Sequence, residues 1–204
     1  MKLSNKYTLS RLLFAPVFFC IYNLPLWFNS DLMAKVTGII MIPLLAFFEF
    51  TDFLDGYYAR KNGEVSDFGK LFDPFADVML NLSVFISVMT SYNENMKSYM
   101  PVLIFVLILY REFGQSFFRM LATKHGVAIA ARKGGKIKTC FYIMSGFFAL
   151  TVESVLRLGF NIDSLFPIVR IVSICLFGIC LILSYVSFID YIKNFSQVLK
   201  SEDI

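Results

Sequence analysis

Long apolar stretches alternate with short polar clusters along the chain. Six apolar segments can be drawn, at about 9–28, 33–55, 72–92, 99–121, 138–157 and 165–190. Each is close to the roughly 20 residues that a helix needs to cross the hydrocarbon core of a bilayer. Because backbone polar groups cannot stay unpaired in lipid, the pattern predicts an all-α membrane protein with six transmembrane helices.

The composition agrees with a bilayer environment. Of the 204 residues, 57% are hydrophobic and 17% are charged, whereas soluble domains have about 45–50% apolar and about 25% charged residues. No repeat or second compositional region is visible, so we expect one membrane domain over 1–204. The net charge of +4 is small, and no basic run interleaved with aromatic residues indicates a nucleic-acid partner.

The positions of Lys and Arg predict the orientation of the helices, because loops on the cytoplasmic side are enriched in both. We expect both termini and the even-numbered loops to face the cytoplasm. Glu153 and Arg157 lie toward the opposite, non-cytoplasmic side. Their spacing of four residues predicts an ion pair on one helix face. The residues assigned to the cytoplasmic side are Lys2, Lys6, Arg11, Arg60, Lys61, Lys70, Lys124, Arg132, Lys133, Lys136, Lys138, Lys193 and Lys200.

Four aspartates lie where the second helix ends and the third begins. Asp52 and Asp55 are three residues apart, and Asp73 and Asp77 are four apart, with Pro74 in the predicted first turn of the third helix. On a helix these spacings put each pair on one face, within about 60° and about 40°. Because consecutive helices pack side by side, the four carboxylates can converge at the membrane boundary.

Bringing these acids together is unfavourable unless a cation joins them. An acid within the membrane costs roughly 2.5–3.5 kcal/mol on insertion scales, and like charges repel one another as well. An all-oxygen set of ligands suits Mg²⁺, Mn²⁺ or Ca²⁺, and four carboxylates have room for two ions. A zinc site or a Ser-His-Asp triad is disfavoured because the one histidine, His125, has no partner motif and the four cysteines form no CxxC pair.

The spacing of the whole stretch resembles the CDP-alcohol phosphotransferase family. The pattern D-x2-D-G-x2-A-R-x8-G-x3-D-x3-D is matched at every fixed position, by Asp52, Asp55, Gly56, Ala59, Arg60, Gly69, Asp73 and Asp77. The resemblance implies a six-helix membrane fold, usually a homodimer, with a site open to the cytoplasmic leaflet. It also implies that two divalent metal ions, either Mg²⁺ or Mn²⁺, bind the CDP diphosphate.

The same resemblance implies roles for individual residues. The metal ligands would be Asp52, Asp55, Asp73 and Asp77, and Asp77 would also act as the general base. The residues implied to bind CDP-diacylglycerol are Asn5, Thr8, Gly56, Ala59, Arg60, Ser66 and Gly69.

Two further stretches narrow the resemblance to phosphatidylglycerophosphate synthases. The opening Asn5-x-x-Thr8-x-x-Arg11 is similar to theirs, as are Arg111-Glu112 and the basic segment at 135–139. The implied reaction moves the phosphatidyl group of CDP-diacylglycerol to glycerol 3-phosphate, in a bacterial inner membrane. This dianionic acceptor needs cations, for which the candidates are Arg111, Arg119, Lys136 and Lys138, with Glu112 orienting a cation.

Other functions remain open on the residues alone. The same chemistry could use serine, inositol phosphate or choline as the acceptor. A divalent-cation transporter would also place acids in the membrane, although near its midplane rather than at helix ends. A structural membrane protein gives no reason for the acids. The chain departs from the family pattern at Glu49, one turn before Asp52, where a small or apolar residue is usual, and at Val78, where these synthases commonly have Lys.

Overall fold

The described part of the chain forms six long helices in the computed structural model. It describes residues 3–61, 67–96, 98–124 and 133–202, and within them the side chains of 6–52, 71–96, 98–123 and 134–194. In these ranges all regular structure is helical, as predicted. The helices are α1 (Leu3–Phe28), α2 (Asp31–Lys61), α3 (Asp67–Ser87), α4 (Val102–Lys124), α5 (Lys133–Arg157) and α6 (Phe166–Glu202), with one 3₁₀ turn at Asp163–Leu165.

Within the described residues, four of these helices are long and apolar enough to cross a bilayer. Their apolar spans are 6–28, 31–52, 134–157 and 163–194, in α1, α2, α5 and α6. Large apolar side chains also cover the exterior, among them Leu32 at 73% exposed and Leu103 at 69%. An apolar exterior around a helical bundle is the arrangement that lipid requires, and the chain is therefore a multi-pass membrane protein.

Several helix boundaries differ from the predicted segments. Helix α2 continues to Lys61 instead of ending near 55, and α6 continues to Glu202 instead of 190. Hydropathy marks the part of a helix that faces lipid, whereas the hydrogen-bonded helix extends beyond it. The third segment is wrong at both ends: α3 begins at Asp67, so Pro74 lies two turns inside it, and 88–92 form a turn and bends after Ser87.

Long-range hydrogen bonds fix the relative directions of the helices. The Thr8 hydroxyl near the start of α1 donates to Asp73 near the start of α3, and the Tyr22 hydroxyl farther along α1 donates to the Thr90 carbonyl just after α3. Helices α1 and α3 are therefore parallel. Arg11, near the start of α1, meets Asp52, near the end of α2, so α1 and α2 are antiparallel.

The interior is built from aromatic packing and close contacts between helices. Phe85 of α3 packs against Tyr142 of α5 and Phe177 of α6, with ring centroids 5.0 and 5.3 Å apart. A Cβ atom at Gly146 would lie 3.0 Å from Val84, and one at Gly38 would lie 3.1 Å from the Cβ of an α5 residue. Glycine at these positions lets α5 approach α3 and α2.

A buried polar cluster joins the helices at the end of the bundle away from the aspartates. Glu153 accepts hydrogen bonds from the Ser91 hydroxyl (2.7 Å), the Tyr92 backbone N–H (2.8 Å), the Tyr99 hydroxyl (2.8 Å) and Arg157 Nε (2.8 Å). The predicted Glu153–Arg157 ion pair is thus confirmed, as part of a larger group that we call the Glu153 cluster.

Arg157 extends this cluster to the first two helices. Its Nη1 donates to the Tyr22 carbonyl (3.0 Å) and the Thr37 hydroxyl (2.9 Å), and its guanidinium lies 4.2 Å from the centre of the Tyr22 ring. The ends of α1 and α5, the start of α2 and the segment after α3 are therefore fastened together at one point.

Candidate active site

Carboxylates from α2 and α3 meet around one buried arginine of α1. Arg11 Nη1 donates to Oδ1 of Asp52 and to Oδ1 of Asp77. The Arg11 side chain is 1% exposed, whereas those of Asp52 and Asp77 are 43% and 34% exposed. One side of each carboxylate is therefore held by the guanidinium, and part of each remains accessible from outside the bundle.

Helical spacing explains why these side chains meet. Thr8 and Arg11 are three residues apart on α1, and Asp73 and Asp77 are four apart on α3, so each pair shares a face. Because α1 and α3 run parallel, the pairs face each other in the same order. Thr8 Oγ1 donates to Asp73 Oδ1 at 2.6 Å, and Arg11 contacts Asp77 one turn farther along.

A small pocket opens at this meeting point. Asp77 and Asp52 line it together with Glu49, which lies one turn before Asp52 on α2. Glu49 and Asp73 are both close enough to Asp77 to repel its charge. The remaining wall comes from Arg11, Phe48, Leu80, Asn81 and Thr139, so α5 also reaches the pocket.

The type of ligand fits a divalent cation, because carboxylate oxygens are what Mg²⁺ and Mn²⁺ prefer. Among the described side chains, however, no three acidic, His or Cys groups surround a common point as the ligands of one ion would. Instead, the positive charge between Asp52 and Asp77 is that of Arg11.

Several predicted site residues lie outside the side chains that the structure describes. They are Asn5, Asp55, Gly56, Ala59, Arg60, Ser66 and Gly69. Their roles remain predictions from the motif.

The predicted acceptor residues form two groups. Arg111 and Lys138 are buried, and both donate to the same oxygen, Oε1 of Glu112, at 2.7 and 2.8 Å. The Tyr142 hydroxyl donates to that oxygen as well, at 2.9 Å. We call these four residues the Glu112 cluster. Arg111 is further fixed by a 2.7 Å hydrogen bond from its Nε to the Ser184 carbonyl of α6.

Arg119 and Lys136 are less constrained. Arg119 is partly buried and interacts electrostatically with both Asp77 and Glu112. Lys136 is exposed on the first turns of α5. Neither side chain forms an ion pair with the acids whose side chains are described.

Sequence reasoning missed the position of Arg11. From the sequence, Arg11 is expected as a charge at the cytoplasmic flank and as part of the opening motif with Thr8, but the structure places it between Asp52 and Asp77. Its spacing of three residues from Thr8 places the two side chains on one helix face, but it does not indicate which acids they meet. Tyr142 was missed as well, since a tyrosine in an apolar helix has no distinctive pattern.

Comparison with known proteins agrees with the motif. The sequence profile described as CDP-alcohol phosphatidyltransferase matches residues 1–179. A CDP-diacylglycerol–glycerol-3-phosphate 3-phosphatidyltransferase of Treponema pallidum is 37% identical over 204 residues, which is 98% of this chain and 92% of that protein.

More distant relatives have similar names. The protein of that name from Bacillus subtilis is 32% identical over 150 residues, covering 70% of this chain and 73% of its own. A probable phosphatidylglycerophosphate synthase of Mycobacterium tuberculosis is 32% identical over 158 residues, covering 77% of this chain and 70% of its own.

Proposed function

This chain belongs to the CDP-alcohol phosphatidyltransferase family, and we propose that it transfers the phosphatidyl group of CDP-diacylglycerol to glycerol 3-phosphate. The products are phosphatidylglycerophosphate and CMP, so the reaction belongs to phospholipid biosynthesis. One observation carries the choice of acceptor: the likeness, over nearly the whole chain, to a relative named for this reaction.

We further propose that Asp52, Asp55, Asp73 and Asp77 hold two divalent cations, Mg²⁺ or Mn²⁺. Support comes from the convergence of the described carboxylates and from their oxygen chemistry. Bound there, such ions would neutralise the CDP diphosphate and the charge that develops on the departing CMP. The residues proposed to line the pocket for CDP-diacylglycerol are Asn5, Thr8, Gly56, Ala59, Arg60, Ser66 and Gly69.

Asp77 is proposed as the general base. Its carboxylate accepts the proton of the primary hydroxyl of glycerol 3-phosphate. The freed oxygen forms a bond to the phosphorus that carries the diacylglycerol, and the bond from that phosphorus to the CMP oxygen breaks, with the electron pair leaving on CMP. Thr8 keeps the neighbouring Asp73 in place during this exchange, through the hydrogen bond described above.

The phosphate of the acceptor is proposed to bind among Arg111, Arg119, Lys136 and Lys138. The Glu112 cluster supports this proposal, because two cations share one carboxylate and so keep an excess of positive charge. In addition, Arg111 Nη2 is buried without a hydrogen-bond partner among the described residues. Arg119 extends this positive region toward Asp77.

We propose that all six helices cross a bacterial inner membrane as a single domain over 1–204, with the termini and the active site on the cytoplasmic side. Helices α1 and α2 run antiparallel, and the start of α1 meets the end of α2 at the aspartates, which supports placing the N-terminal end and the active site on the same side. A homodimer is proposed on the resemblance to the family.

The proposal is tested by release of CMP from CDP-diacylglycerol by the purified protein in detergent. We expect release with glycerol 3-phosphate and Mg²⁺, none after treatment with EDTA, and recovery when Mg²⁺ is returned. Serine, choline and inositol phosphate are assayed in parallel. Faster release with one of them would overturn the choice of acceptor.

Substitution of the base tests the mechanism. Asp77→Asn should lower kcat at least about 100-fold, which is the lower end of what a general base contributes. Asp163→Asn, an exposed acid outside the pocket, should leave kcat unchanged. Turnover of Asp77→Asn close to that of the unsubstituted enzyme, with metal still bound, would exclude Asp77 as the base.

A further inference from the structure

Arg11 is a buried cation held between two acidic side chains. It lies between two of the carboxylates proposed as metal ligands, and one nitrogen, Nη1, reaches both. A guanidinium that is 1% exposed has almost no contact with water, so its charge must be balanced by acids within the protein. The same acids need a positive charge for the same reason.

The arrangement implies competition for the carboxylate oxygens. Arg11 Nη1 donates hydrogen bonds to Oδ1 of Asp52 and Oδ1 of Asp77. A divalent ion would bind through lone pairs of the same oxygens. A divalent ion bound to the same oxygens would lie close to the Arg11 guanidinium, and two positive charges at that distance repel each other. A divalent ion that binds both carboxylates therefore weakens or replaces the contacts with Arg11.

We infer that Arg11 acts as a built-in counter-ion, which holds Asp52 and Asp77 together in the absence of metal and gives way when a divalent ion binds. This inference rests on the proposed function only in taking these aspartates as metal ligands. Arg11 then has two effects: it stabilises the metal-free fold, and it lowers the affinity for metal. The charge that Arg11 brings becomes available to an anion, such as the diphosphate of the lipid substrate, once the metal has taken over the carboxylates.

The test is Mn²⁺ binding in detergent without either substrate, followed by the loss of the electron paramagnetic resonance signal of free Mn²⁺. Arg11→Gln should bind Mn²⁺ about tenfold more tightly than the unsubstituted protein, or more, because a charge-assisted hydrogen bond to each carboxylate no longer competes. Arg11→Lys keeps a positive charge and should shift the affinity less. Equal or weaker binding by Arg11→Gln, or no saturable binding by either protein, would overturn the inference.

A second measurement covers the case in which Arg11→Gln is poorly stable. Without divalent ions its thermal midpoint should lie below that of the unsubstituted protein, and saturating Mn²⁺ should close the gap, since a ligand stabilises the state that binds it. A gap that persists at saturating Mn²⁺ would argue against the inference.

Arg157→Gln is the matched control. Arg157 is a buried arginine paired with a glutamate in the Glu153 cluster, away from the carboxylate pocket. Its substitution should lower the midpoint equally with and without Mn²⁺ and leave the affinity for Mn²⁺ unchanged. None of these measurements follows the reaction. Tighter Mn²⁺ binding by Arg11→Gln, together with no activity of the unsubstituted protein on glycerol 3-phosphate, would therefore reject the proposed function and retain the inference.

Discussion

The Glu112 cluster allows a quantitative prediction. In Glu112→Gln, one oxygen remains to accept hydrogen bonds, but the negative charge shared by Arg111 and Lys138 is lost. All three side chains are buried, so water cannot replace that charge. Removing one partner of a buried ion pair costs roughly 3–5 kcal/mol. Because glutamine keeps the size of the side chain and one acceptor, we expect the free energy of unfolding to fall by about 3 kcal/mol.

Denaturation in detergent, followed by far-ultraviolet circular dichroism, measures this loss. Glu94→Gln is the matched control, because Glu94 is exposed and its substitution should change the free energy by less than about 0.5 kcal/mol. At temperatures where both proteins are folded, Glu112→Gln should also raise the KM for glycerol 3-phosphate more than the KM for CDP-diacylglycerol, because Arg111 and Lys138 lose the carboxylate that orients them. A stability loss below about 1 kcal/mol would show that the two cations do not depend on Glu112.

Two further substitutions test a hydrogen bond at the site and a close helix contact at the far end of the bundle. Thr8→Val removes the hydroxyl that donates to Asp73 and should lower kcat/KM for CMP release about tenfold, from the loss of about 1.5 kcal/mol of a charge-assisted hydrogen bond; an unchanged kcat/KM would exclude a positioning role. Gly38→Ala places a Cβ atom 3.1 Å from α5 and should cost about 1–3 kcal/mol through overpacking. Gly178→Ala, where a new Cβ atom meets nothing within 4 Å, should not lower the thermal midpoint, and an equal loss in both variants would contradict the packing argument.

The convergence of aspartates could be predicted from sequence because it follows from local periodicity. Spacings of three and four residues put Asp73 and Asp77 on one face of α3, whatever the rest of the fold does. Neighbouring helices pack together, so Asp52 was expected nearby, and in the structure it shares Arg11 with Asp77. The family prediction from this motif is confirmed by the profile match and the relatives.

The position of Arg11 could not be predicted in the same way. Its partners lie 41 and 66 residues away along the chain, so no local period connects them. A basic residue near the end of a span is ordinarily explained by membrane topology. Only the packing of α1 against both α2 and α3 shows that this charge is turned inward.

Helix ends were the least predictable part of the fold. Apolar character sets where a segment faces lipid, whereas a helix ends where its backbone hydrogen bonds end. For α6 the two criteria differ by twelve residues, between the predicted end at 190 and Glu202. The Glu153 cluster shows the same limit: the ion pair four residues apart was predictable, but its hydrogen bonds from Ser91 and Tyr99 come from a distant segment.

The Glu153 cluster also limits how far the helices can move at the carboxylate pocket. Along α1, Tyr22 in that cluster and Arg11 in the pocket are eleven residues apart, or about 16 Å at 1.5 Å per residue. With the helices bonded at the far end, a tilt of about 5° around that point moves the other end by about 1.5 Å. Adjustments of this size at the carboxylates therefore leave the hydrogen bonds of the Glu153 cluster in place.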